Sequence, residues 1–129
     1  MSLTNAFETH TLQYLLTTDS LTRPTSWYIA LFTSDPTDTG SAGTEVSTGT
    51  GYARTAVTFT VSGDTASNSA AVEFSAASGG NWGTISHIGV MDASTGGNMI
   101  VHSALTTAKA INDGDVFRIP TGDLDITAA

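Results

Sequence analysis

Glycine, aspartate, asparagine and serine cut this chain into short β-branched and apolar runs, and that punctuation limits its fold more than any other feature. Ser62–Asp64 (SGD), Ser94–Asn98 (STGGN) and Asn112–Asp115 (NDGD) hold residues that tolerate left-handed backbone, as hairpin turns require. The runs between the breaks read as strands: Tyr52–Val61, Ala66–Ser75, Thr84–Asp92, Asn98–Leu105, Asp115–Ile119 and Asp123–Thr127. A further run, Thr25–Thr33 (TSWYIALFT), is the most apolar in the chain. Its alternation puts Trp27, Ile29 and Leu31 on one face and Tyr28, Ala30 and Phe32 on the other, so both faces need cover and a central strand is expected. About seven short strands with such turns predict a mainly β fold, an antiparallel β-sandwich or small barrel over residues 25–127.

Only the N-terminal segment reads as helix, over residues 5–18. Asn5 stands as its cap with Glu8 near the capping-box position, and Ala6, Phe7, Leu12, Tyr14, Leu15 and Leu16 give an apolar face broad enough to dock on a sheet. Four threonines weaken its intrinsic helicity, so packing must support it. Residues 34–51 (SDPTDTGSAGTEVSTGTG) form a long loop, and loops of that length inside compact domains tend to make contacts or carry function.

A length of 129 residues suits one domain, 1–129, that buries roughly two thirds of its unfolded surface. Hydrophobic residues make up 40%, enough for a core, whereas charged residues are only 12%, so Thr, Ser and Gly must supply the polar surface. The formal net charge is -8, and the four basic residues Arg23, Arg54, Lys109 and Arg118 are scattered, which argues against a nucleic-acid partner. The absence of cysteine excludes disulfides, thiolate catalysis and Cys-ligated zinc. The opening MSLTNAFETHTLQYLL has no basic flank and no uninterrupted apolar run, so it reads as neither signal peptide nor membrane span.

Candidate chemistry is sparse. His87 and Asp92 fall on opposite faces of one strand and stand roughly 16 Å apart, out of reach of each other. Across the Ser94–Asn98 hairpin His102 is expected opposite Val90, diagonal at best to His87, and both read as hydrogen-bonded sheet histidines. His10 lies on the helix without HExxH-type spacing. Asp113, Asp115, Asp123 and Asp125 lack the spacing of a calcium-binding helix–loop–helix and read as turn caps; Asp35, Asp38 and Glu45 read as loop solvation. There is no GxSxG elbow, STGTGYA has no phosphate-loop lysine, and nothing singles out a carboxylate pair for glycoside hydrolysis. No catalytic residue, cofactor or metal ligand is assigned. Trp82 with Tyr52 is the one candidate ligand platform, for a sugar stacked on exposed rings, weighed against packing of Trp82 over the sandwich edge.

The order of YIALFTSDPTDTG (28–40), TEVSTGTGYARTAVTF (44–59), SNSAAVEF (67–74), the stretch from WGTISHIGV to VFRI (82–119) and GDLDIT (122–127) resembles a family of small proteins of tailed bacteriophages and prophages, often labelled tail fibre or virion structural proteins. The resemblance spans essentially the whole chain and implies a non-enzymatic part of a virus particle, made in the bacterial cytoplasm and located on the virion. Without a shaft, repeat or heptad, a module of this size suits a head decoration or cement protein that binds the major capsid protein. The alternatives are a tail-associated fibre or spike component and a carbohydrate-binding adhesion module. The expected partners are other virion proteins and copies of the chain itself, a trimer being favoured by symmetric shell positions, with neither nucleic acid nor membrane involved. Leu3, Phe7, Asp35 and Pro36 are the expected assembly contacts.

Overall fold

A computed structural model describes residues 1–128. In chain order the elements are β1 (Ser2–Leu3), α1 (Asn5–Leu16), β2 (Tyr28–Phe32), a 3-10 turn (Thr48–Thr50), β3 (Thr55–Ala56), β4 (Phe59–Ser62), β5 (Thr65–Asn68), β6 (Val72–Glu73), β7 (Gly83–Met91), β8 (Met99–Ile111), β9 (Arg118–Ile119) and β10 (Asp125–Thr127). They form a five-stranded sheet of order β1-β8-β7-β2-β3, a three-stranded sheet β10-β5-β4 and a two-stranded ribbon β6-β9, with neighbouring strands antiparallel.

The expected single sandwich or barrel of about seven strands is therefore corrected: the described residues form ten strands in three sheets, none of them closed. Two expected strands are each split by a corner. In the first, Val57 still donates to the Trp27 carbonyl beside β2, whereas the Thr58 carbonyl already accepts from Ser69 beside β5. The second is broken at Asn68, whose buried amide donates to the Ala70 and Pro120 carbonyls and accepts from the Leu124 N–H. Three backbone groups that the bend leaves without ladder partners are satisfied by that one side chain. The strand expected over Asn98–Leu105 instead runs on to Ile111, with an irregularity where His87 pairs with Ala104 but Ile85 with Lys109.

β2 lies between β7 and β3, and its faces divide as its alternation requires. Ile29 and Leu31 enter the main core with Trp27 against it, whereas Ala30 and Phe32 join Met91 and Met99 on the reverse face, with Tyr28 alongside. The main core holds an aromatic cluster in which Tyr52 stacks on Phe74, and Trp82 stands edge-on to both. On the reverse face the long loop supplies cover. Its ends are tied by Thr33 N–H to the Thr44 carbonyl and Val46 N–H to the Leu31 carbonyl, and Pro36 within it is fully buried.

Candidate functional site

The N-terminal helix departs furthest from expectation. Its base is fixed: Thr4 is buried, its N–H donates to the Ile100 carbonyl and its hydroxyl to the Met99 carbonyl, and Asn5 N–H donates to the Asp38 carbonyl. Thr4, rather than Asn5, occupies the cap position, and because its hydroxyl is committed to the sheet it makes no side-chain cap. Beyond this base the helix does not dock on the sheet, and only its Phe7, Tyr14 and Leu15 side borders the chain's own residues 21–24 across a cavity of about 280 Å³. None of its residues is buried, and Leu12 (58% exposed), Tyr14 (75%), Leu15 (67%) and Leu16 (76%) are open to solvent. Phe7 and Tyr14 lie on the opposite side of the helix from Leu12 and Leu16, so no one stripe carries all of its apolar side chains to the sheet that anchors its first turn. Phe7 is half-buried with its ring edge-on to His10, and Leu3, in β1 opposite Val101, packs against the margin of the core.

Beside that base lies an apolar groove of about 420 Å³, between the five-stranded and three-stranded sheets. Leu3, Trp27, Phe59 and Ile126 flank it over Val101, and Val61, 74% exposed, stands at its rim. Sequence reasoning missed this groove. Its residues come from β1, the 23–27 stretch, β4, β5, β7, β8 and β10, and the one local signal, an outward valine in β4, is ordinary on a sheet surface.

Of the two loop residues expected to make contacts, only Asp35 is accessible. Pro36 is enclosed in the chain's own interior, so its expected role as an assembly contact is corrected: the loop folds back onto the sheet, with Gly40 close against Met99, and the proline ring is buried within it. Asp35 lies near two histidines, its Oδ1 3.9 Å from His87 Nε2 and 4.0 Å from His102 Nδ1. His102 pairs with Gly89 rather than Val90 and is diagonal to His87; its Nε2–H donates to Asp38 at 2.9 Å, while His87 Nδ1 shares a hydrogen bond with Ser86. Both are the hydrogen-bonded sheet histidines expected, His102 bonded to the loop through Asp38 and His87 to its neighbour Ser86. Among the described residues no group of three potential ligands is arranged to hold a metal.

The Trp82–Tyr52 platform is also corrected. Trp82 is 5% and Tyr52 4% exposed, and the Trp82 indole N–H donates to the Thr50 carbonyl at 2.9 Å. Burying two large rings against Phe74 wins over leaving them at an edge, and no ring face remains for a sugar. The Tyr52 hydroxyl donates to Glu45 Oε2 at 2.6 Å and accepts the Leu31 N–H. Arg54 meets the same carboxylate with two N–H groups at 2.9 Å and donates to the Ala93 and Gly96 carbonyls, tying the long loop to the β7–β8 turn. Burial works against the charged form of Glu45, but hydrogen bonds from Arg54 and Tyr52 and the arginine charge together outweigh it and hold the carboxyl below its ordinary range. Burial, and then the bond to Glu45, push the Tyr52 hydroxyl far up, so it is a fixed neutral donor.

The C-terminal aspartates serve backbone and hydroxyl partners: Asp115 accepts the Asn112 N–H, and Asp125 accepts from Ser67. What the chain presents outward is thus a projecting apolar helix and the groove at its base. No helix among the described residues is long and apolar enough to cross a membrane. No curated protein matches the chain. A family model described as podophage GP4 fiber I protein gp80 does match, over residues 2–127, and the chain belongs to that family.

Proposed function

We propose that the chain is a tail-associated fibre component of a podophage-type virion, joined to its neighbours through the projecting N-terminal helix. The family match over nearly all of the chain carries this reading: the protein is a phage virion structural protein of the fibre type, and non-catalytic. The head decoration role expected from the sequence draws no specific support from a fibre family, so the tail-associated alternative becomes the main reading. The exposed helix supports a joining role, since an isolated helix of 12 residues is marginal in water and gains stability once its apolar side chains are covered. Other virion proteins and further copies of the chain, with a trimer favoured, are the proposed neighbours, and Phe7 and Asp35 remain available as contacts. An adhesion role through Trp82 is not carried forward, because the ring is buried.

Mass spectrometry of heads and tails separated from disrupted particles tests the placement. Enrichment with the tail fraction is expected; copies recovered with isolated heads, in the stoichiometry of a shell lattice, would return the decoration reading.

A further inference from the structure

We propose that helix α1 of one copy seats in the apolar groove of a second copy, each subunit donating a helix and receiving one. The inference deepens the fibre reading by naming the partner of the helix. Both halves of the contact are on this chain: an unburied helix with Leu12, Tyr14, Leu15 and Leu16 exposed, and a groove of about 420 Å³ with Trp27, Phe59 and Ile126 at its sides and Val61 at its rim.

Charge and area both point to this occupant. Arg23 is the one charged residue lining the groove, and Glu8 is the one acid on the helix, so a cationic spot on a chain of net charge -8 is offered to an acidic helix. Leu12, Leu15 and Leu16 fall within about 100° of one another around the helix, and at roughly 100 Å² each they give about 300 Å², with a comparable area hidden where the groove is covered. A subunit that both gives and receives a helix therefore buries about 600 Å², or about 1,200 Å² for the pair, the lower end of the range for stable interfaces. A helix docked on some other protein would bury only half of that and leave the groove open. The chain's own groove is not an alternative, because the helix base is held by Asn5 N–H to the Asp38 carbonyl and Thr4 N–H to the Ile100 carbonyl, and turning it inward breaks both.

The lack of cysteine makes the test direct. Leu15→Cys and Val61→Cys, both at exposed positions, are prepared as separate full-length chains, mixed and oxidised. A disulfide between the two chains is expected, and light scattering should show a species larger than the 13.2 kDa chain that Leu15→Glu reduces to monomer with unchanged far-ultraviolet circular dichroism. Three results would overturn the proposal: a mixture in which no disulfide joins the Leu15→Cys and Val61→Cys chains, a wild-type protein that stays at 13.2 kDa at the highest soluble concentration, or an oligomer that survives Leu15→Glu. None of these bears on whether the protein travels with the tail, so the two readings fail separately.

Discussion

Arg54 donates four hydrogen bonds, two to Glu45 and two to carbonyls of the β7–β8 turn, and its side chain is only 10% exposed. Removing it leaves a partly buried carboxylate and two carbonyls without their donor. Arg54→Ala should therefore lower stability by about 3 kcal/mol, or roughly 10 °C in Tm, measured by thermal circular dichroism. The pH dependence follows from the depressed Glu45 carboxyl. Because its folded value lies below its unfolded one, the stabilisation is complete above the ordinary carboxylate range near 4.5 and is lost as pH falls through the folded value. Urea titrations on the acid side of that range should show wild-type stability falling more steeply than that of Glu45→Gln; equal slopes would mean the carboxyl is not perturbed. Trp82 gives a second contrast. Trp82→Ala opens a cavity in the aromatic cluster and should cost about 3–5 kcal/mol, whereas Trp82→Phe, which keeps a ring but loses the bond to Thr50, should cost about 1–2 kcal/mol. If Trp82→Ala unfolds at the wild-type midpoint, the ring is not part of the core.

Among the elements, the β7–β8 turn is fixed by one carboxylate and one glycine. Asp92 Oδ1 accepts the Asn98 N–H at 2.7 Å, and Gly97 adopts φ +70° in a space where an added Cβ would sit 2.7 Å from the Ala93 Cβ and against that same carboxylate. Gly97→Ala combines left-handed strain with a clash, and a loss of about 2–3 kcal/mol is expected in the urea midpoint. Gly96→Ala, where φ is +59° but nothing lies within contact distance, should cost only about 1 kcal/mol. This turn was legible in STGGN, because its requirement is local. The helix was legible only in part. Its extent to about residue 18 ran two residues past the observed Leu16, and its apolar composition is real, but docking on the sheet was inferred from amphipathicity and did not occur. The reason lies at its base, where Thr4 and Asn5 are bonded to β8 and the loop and so direct the rest of the helix outward.

For the whole molecule, net charge and apolar surface act in opposite directions. At -8 per chain, copies repel one another, yet the helix and groove give them apolar area to bury. Self-association should therefore strengthen as salt rises and screens the repulsion, as sedimentation at low and high ionic strength would reveal; weakening with salt would indicate that ion pairs hold the copies together. The sequence by itself determined the strand-rich class, the turns at residues 62–64, 94–98 and 112–115 and the division of β2 into two buried faces, since these follow from periods of two residues and from the backbone tolerance of a few residue types. Tertiary structure alone decided the rest: the three sheets, the pairing of Ser2–Leu3 with β8, the inward burial of Pro36, Tyr52 and Trp82, and the apolar groove. Each depends on residues far apart in the chain meeting around the same corner. Asn68 binds both its near neighbour Ala70 and the distant Pro120 and Leu124, and no local pattern encodes that closure.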